Sequence, residues 1–244
     1  MANGTGLKAI IASAERASSS ARQPTYSSPL IKARRHRILI EVQRLIGEVG
    51  IANLSMDEVA SHAAVSKRTL YNAFQSKEGM IAAAIHQYFE DFASSTDCST
   101  PPETLDRMIE RLLREGHHSL KARNYTRALM TIYHGHDIDP AIRNAIYAVS
   151  LERHGPCIRR AAANRQLQPW IKPDELIRAL VTLRFGLINA WSLGLIEDRP
   201  FLSELVSGSL TLLAGATRGV ARNDIEHCLA ELPNHPLLSL KDQN

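Results

Sequence analysis

Three serines constrain this chain more than any other feature. Ser55, Ser66 and Ser76 lie eleven and ten residues apart, and each directly precedes a run of helix-forming residues. A serine in that place caps a helix, because its hydroxyl accepts from a backbone amide of the first turn. Ser55-Met56-Asp57-Glu58 has the spacing of a capping box, in which the serine takes the third amide and the glutamate reaches back. The spacing leaves room only for short helices, one from 55 to about 62 and one over 67–74, before another starts at Lys77. Upstream, Ile38, Val42, Leu45, Ile46 and Val49 recur every three or four residues, which is one face of a helix. Gly50 follows as its C-cap.

The rest of the chain is also read as helical. Leu105, Met108, Ile109, Leu112 and Leu113 form an apolar stripe after a break and restart at Pro101-Pro102. Asp139-Pro140 opens a helix expected to run to Leu167, with Gly155-Pro156 expected to kink or split it. Pro173 opens a strongly apolar helix, and Pro200 another to about Arg218. No stretch alternates with period two, so no strand is expected. The segment 176–196 is long enough for a membrane span, but Arg178 and Arg184 lie inside it. Each would cost about 2.5–3.5 kcal/mol near a bilayer centre, so it reads as a buried helix. No secretory signal is expected, since the longest apolar run near the start is 9–12. Cys98, Cys157 and Cys228 are far apart, which excludes a disulfide scaffold and a CxxC metal site and suits a reducing cytoplasm.

Charge is divided unevenly. Residues 1–80 hold 11 Lys and Arg against 6 Asp and Glu, a net +5, whereas 81–244 hold 18 against 19, a net −1. One end of the chain is therefore suited to a polyanion. Three short helices with tight turns ending near Phe74 have the dimensions of a helix-turn-helix. Val59, Ala60, Ala63, Val65, Leu70 and Phe74 would form its small core. Ser66, Lys67, Arg68, Thr69, Tyr71 and Asn72 stay largely outside it. Two cations, three hydroxyls and an amide can donate to phosphates and to base edges in a major groove.

Residues 34–85 resemble the DNA-binding region of the TetR family of bacterial transcriptional regulators. The resemblance is carried by Gly50, Leu54-Ser55-Met56, Val59-Ala60, Ala63-Ala64-Val65-Ser66, Thr69-Leu70-Tyr71, Phe74 and Ser76-Lys77-Glu78, with no insertion. It implies an all-α protein: an N-terminal three-helix helix-turn-helix domain, then a larger helical domain for ligand binding and dimerisation. It implies that Tyr71 and Lys77 touch phosphates and that Ser66, Lys67, Arg68, Thr69 and Asn72 meet the groove, with Ser55 beside them. The family turn usually carries glycine where this chain has Ala64. If φ is positive there, the alanine costs on the order of 1 kcal/mol.

The expected organisation is an arm over 1–30, a DNA-binding domain over 31–85, an effector-binding and dimerisation domain over 86–220, and a tail over 221–244. The helices at 176–196 and 201–216 are rich in small residues and would pair with a second copy of the chain into a four-helix interface. An effector pocket would be apolar with few polar anchors. Its candidate liners are His117, Tyr125, Tyr133, Phe185, Asn189 and Trp191. Arg184, a cation within an apolar helix, needs an anionic ligand or a protein carboxylate as partner. The expected function is a homodimeric repressor, bound to a palindromic operator and released by a small-molecule effector. The alternative is an enzyme or metal sensor built on His117, His118, His134, His136, Asp137, Asp139 and His154. No nucleophile–base pair, phosphate loop or H-E-x-x-H supports that alternative, so no enzyme activity, cofactor or metal is assigned.

Overall fold

The computed structural model describes residues 29–94, 100–135 and 140–234. Its helices are α1 (Pro29–Asn53), α2 (Met56–His62), α3 (Lys67–Phe74), α4 (Lys77–Ser94), α5 (Leu105–Lys121), α6 (Arg123–His134), α7 (Pro140–Ala163), α8 (Pro173–Ser192), α9 (Asp198–Ala216) and α10 (Val220–Glu231). A 3-10 turn, Leu232–Asn234, follows α10. Among the described residues there is no strand, only an isolated antiparallel bridge between Leu167 and Thr217. The chain is all-α, with a helix-turn-helix first and a larger helical part after it. Among the described residues, no helix is long and apolar enough to cross a membrane. Residues 1–28 of the expected arm, Cys98, and His136, Asp137 and Asp139 lie outside the described residues, while residues 29–30 begin α1.

The described residues form two compact units. The first comprises α1–α4 with residues 131–149; the second comprises 100–130 and 150–234. In the first, α1 packs on α2 and α4, and α3 packs on α2 and α4. Its core holds Ile38, Val42, Leu45 and Ile46 of α1, Val59 of α2, Leu70 and Phe74 of α3, and Met80, Ile81 and Ile85 of α4. Ala63 and Val65, expected in that core, are only half-buried. In the second, α9 packs on α5, α8 and α10 around Leu112, Leu113, Leu180, Val206 and Leu210.

Helix ends follow the capping chemistry. The Ser55 hydroxyl accepts from the Glu58 amide at 3.0 Å, Ser66 from Thr69 at 3.1 Å, and Ser76 from Gly79 at 2.9 Å. Gly50, at φ 75, ends the regular part of α1. The turn after α2 is a Schellman motif: the Val65 amide donates to the Ala60 carbonyl and Ala64 to Ser61. That motif needs a left-handed residue at its C′ position, and Ala64 adopts φ 52. Arg165, at φ 56, ends α7 in the same way, with Gln166 bonded to Ala161 and Arg165 to Ala162.

Proline positions differ from expectation. Pro101 lies in a turn closed by the Thr104 amide at 3.2 Å, and α5 starts beyond it with Thr104 as its cap. Pro156 sits inside α7 without splitting it, and α7 stops at Ala163 rather than Leu167. Proline removes one helical donor, and the carbonyl left over belongs to the exposed Glu152, within reach of water. Pro200 is the third residue of α9, not the first. Residues 221–231, expected in a tail, belong to α10, which buries Ile225.

Two substitutions test this account of the turns. Ala64→Gly removes left-handed strain at some entropic cost, and should raise stability by about 0.5–1 kcal/mol in urea unfolding. Gly79→Ala improves helix propensity, yet its Cβ would lie 2.6 Å from the Phe74 carbonyl oxygen. It should therefore lower stability, by about 1–3 kcal/mol; a gain would mean that propensity outweighs the clash.

Candidate nucleic-acid interface

The exposed face of α3 is built by elimination. Leu70 and Phe74, four apart, bury one side of the helix. Lys67, Arg68, Tyr71 and Asn72 occupy the other, and all four are exposed. Arg68 makes no hydrogen bond or ion pair among the described residues and extends from the first turn. Tyr71 is 45% exposed although it is a large aromatic. Neither side chain is needed by the protein's own packing, so both are available to an external partner.

The other expected contacts are partly engaged. Ser55 and Ser66 spend their hydroxyls on the caps, and Ser66 Oγ also lies 2.8 Å from Thr69 Oγ1. Thr69 is half-buried. Lys67 Nζ donates to Asp57 Oδ2 at 2.9 Å, and that bond raises the lysine pKa above its ordinary value. The pair is exposed at both ends, so it is weak and separable. Lys77 is the first residue of α4, half-buried, directly after the Ser76 cap.

Arg35 lies in the second turn of α1. It is folded onto α3: Nη1 donates to the Ala73 carbonyl at 3.0 Å, and the guanidinium lies 4.3 Å from the Phe74 ring centroid. Burial lowers its pKa. It thus places a cation at the C-terminal end of α3, where helix carbonyls accumulate negative potential. Gly79 and Arg35 both position α3. Neither has a periodicity or capping signal, because each acts through a contact with a distant carbonyl.

The expected effector liners divide between the two units. Tyr133 belongs to the first unit, stacked on Tyr147 with centroids 6.3 Å apart, while the other five belong to the second. Trp191 is fully buried, stacked on Phe201 at 4.7 Å, with Nε1 donating to Asp198 Oδ1 at 2.9 Å. Hydrogen bonds from Arg123 and Trp191 hold the Asp198 carboxyl below its ordinary pKa. Tyr125 is buried; His117 and Asn189 are half-buried. A groove of about 510 Å³ in the second unit is lined instead by Leu105, Cys157, Ile158, Leu213, Ile225 and Cys228 among others, and by none of the six.

Arg184 is 2% exposed and carries an ion pair from Nη2 to Glu115 Oε2. Glu115 also lies 3.3 Å from Nε2 of the buried His154. Burial alone would raise the Glu115 carboxyl, but the charges of Arg184 and His154 hold it down to about 2. Burial, helped by the Arg184 charge, pushes the His154 imidazole down to about 4. At neutral pH the arrangement is therefore a guanidinium, a carboxylate and a neutral imidazole. No trio of His, Cys, Asp or Glu among the described residues is arranged to hold a metal ion.

Comparison with known proteins bears on the first unit most directly. Residues 43–89 match the family described as bacterial regulatory proteins, tetR family. Compared by sequence with curated proteins, the chain has no match. Solved structures match at the level of fold. A putative TetR-family transcriptional regulator from Rhodococcus sp. aligns at TM-score 0.61 and 22% identity, covering 74% of this chain and 99% of that one. A TetR transcription regulator from Haloarcula marismortui aligns at TM-score 0.60 and 15% identity, covering 77% and 100%. NalD, the secondary repressor of the MexAB-OprM multidrug efflux pump in Pseudomonas aeruginosa, aligns at TM-score 0.54 and 22% identity, covering 77% and 97%. Residues 43–89 are thus a TetR-family helix-turn-helix domain, and the chain has the fold of the TetR-family transcriptional regulators.

Proposed function

We propose that the protein is a homodimeric, cytoplasmic repressor that binds a palindromic operator through α3 and is released by a small-molecule effector. The observation that carries this reading is the free polar face of α3, with Arg68, Tyr71 and Asn72 exposed beside a rigid apolar anchor. In the major groove, Arg68 is placed to read a base edge or clamp a phosphate, and Asn72 to pair with adenine. Tyr71 and Lys77 take phosphates. Ser76 accepts the Gly79 amide, which leaves the first amides of α4 directed outward, where an anion is favoured. Lys67 joins them by giving up its exposed bond to Asp57. Domains at 31–85 and 86–220 remain the organisation proposed for these roles, with α10 packed on α9 after them.

A dimer supplies the second half-site that such a module reads. The second unit has a suitable face. On α8, Ala179, Thr182 and Gly186 are exposed, with Leu183, Leu187 and Ala190 half-buried between them. On α9, Thr211 and Gly215 are exposed beside Gly208 and Leu212. None of these residues is charged, and a Cβ added at Gly186 or Gly215 meets nothing within 4 Å. Small residues at that spacing allow a second copy to approach closely. The effector acts by population shift, binding better to a state whose recognition helices are wrongly spaced for the operator.

Footprinting on DNA flanking the coding region should protect a palindrome. Arg68→Ala should cost about 1–3 kcal/mol and relax the sequence preference at one position. Lys77→Ala should weaken binding to all sequences alike and lower the salt dependence by about one counterion. Binding indifferent to salt and to both changes would reject the reading. Gly186→Glu, placed in open space, should leave the protomer folded, shift sedimentation to the monomer mass and reduce operator affinity. A retained dimer would move the interface elsewhere.

A further inference from the structure

The groove in the second unit runs between α7 and α10 over the first turn of α5. Its volume of about 510 Å³ lies within the ~300–1,000 Å³ of small-molecule sites. Its floor is apolar: Ile158, Leu167, Leu176, Leu213 and Ile225 all line it, and all are buried by their neighbours on the inner side. Backbone bonds give one end a fixed shape. The Gln168 amide donates to the Ala216 carbonyl at 2.9 Å, and the Arg218 amide to Gln166 at 2.8 Å. These bonds tie the chain after α7 to the chain after α9, where Gln166 and Thr217 also line the groove. Apolar surface in such a hollow gains burial only when something covers it.

The rim is acidic. Glu103 and Asp106 at the start of α5 and Asp224 on α10 stand against one guanidinium, Arg160; His227 and two thiols are the other titratable groups. Arg160 Nη1 lies 3.6 Å from Glu103 Oε1, so those two charges answer each other. Asp106 and Asp224 are exposed and make no ion pair among the described residues. The α5 N-terminus favours Asp106, but Asp224 lies beyond the first turn of α10. Both act on one stretch of wall: burial raises the Cys228 thiol pKa, and the charges of Asp106 and Asp224 raise it further. Cys157, on the α7 wall, is pushed up to about 11, chiefly by burial. Both thiols stay protonated at neutral pH and serve as apolar wall rather than as nucleophiles. An anion would meet like charge at this rim, and a neutral ligand would leave the two carboxylates unanswered. Among the described residues, no Phe, Tyr or Trp lines the groove, so no ring face is available to hold a cation. A cation would be recognised through N–H donors to the carboxylates.

We propose that this groove is the effector site and that the effector is a lipophilic amine, its apolar body on the floor and its ammonium N–H groups on Asp106 and Asp224. This rests on the regulator reading above, since the ligand is taken to be the molecule that releases DNA. The exposed carboxylates leave the ammonium partly hydrated, so the charge contributes selectivity while the apolar floor contributes most of the affinity. A protonated amine suits the site better than a quaternary ammonium, which has no N–H to donate.

The test uses the full-length protein with 4-phenylbutylamine and octylamine, each beside the corresponding alcohol, carboxylate and trimethylammonium compound. Thermal shift and operator binding are measured, and alkylation rates are read separately at Cys157 and Cys228 by peptide mass spectrometry. An amine should raise the melting temperature, weaken operator binding and slow alkylation of both thiols. It should bind about tenfold more tightly than its alcohol, and more tightly still than its carboxylate or trimethylammonium counterpart. The double variant Asp106→Asn, Asp224→Asn changes two exposed side chains and so keeps the fold; it should bind amine and alcohol alike. Asp224→Lys should turn the preference toward the carboxylate. Equal binding of amine and alcohol to the unaltered protein, unslowed alkylation, or a double variant that keeps the preference would refute the site. Amine binding that leaves operator affinity unchanged would refute its role as effector. Failure of the ligand-free protein to bind operator would refute the regulator reading, while thermal shifts and alkylation would still decide the groove.

Discussion

An eight-residue helix does not hold itself together in water, because closing its first turn costs more than so few hydrogen bonds return. The helix that faces outward here, α3, has that length. Its order comes from elsewhere: Leu70 is fully buried and Phe74 nearly so, each worth about 1.5–3 kcal/mol of apolar burial. Ser66 satisfies its first amides, and Arg35 braces its last turn against the Phe74 ring. The polar face of α3 can therefore be given over entirely to a partner, since none of its residues is required to keep the helix folded.

The same anchoring explains the tight geometry around α3. Ala64 accepts left-handed backbone because the Schellman turn aims α3 across α2. Gln75, at φ 68, turns the chain again after only eight residues, and its amide still reaches the Tyr71 carbonyl at 2.8 Å. Gly79 then lets α4 run against the Phe74 carbonyl. Two left-handed non-glycine residues within twelve positions are affordable only where packing over-determines the path. The second unit makes a different use of its core. It buries Arg184 and His154 among apolar helices, with Glu115 half-buried beside them, where a charge survives only with partners.

Much of the first unit was legible in the residues. Ser55, Ser66 and Ser76 located three helix starts, because a cap bond spans only three residues and leaves its mark in local order. The left-handed turn at Ala64 was suggested only by the resemblance, which puts glycine at that position. Pro156 was misleading: a proline costs one donor, and the sequence does not reveal that the orphaned carbonyl lies on the solvent side. α6 and α10 carried no cap strong enough to announce them.

By itself, the sequence determined what depends on near neighbours: helix type, cap positions, the polar face of α3 and the uneven charge. The tertiary structure alone decided what depends on residues far apart in the chain. Arg35 braces α3 through a carbonyl 38 positions away. Arg184 was recognisable as a cation in an apolar helix, but its partner lies 69 positions earlier, on a helix that looks ordinary in sequence. The physical reason is range: capping and periodicity act within a few residues, whereas burial and charge compensation are settled only when the helices meet.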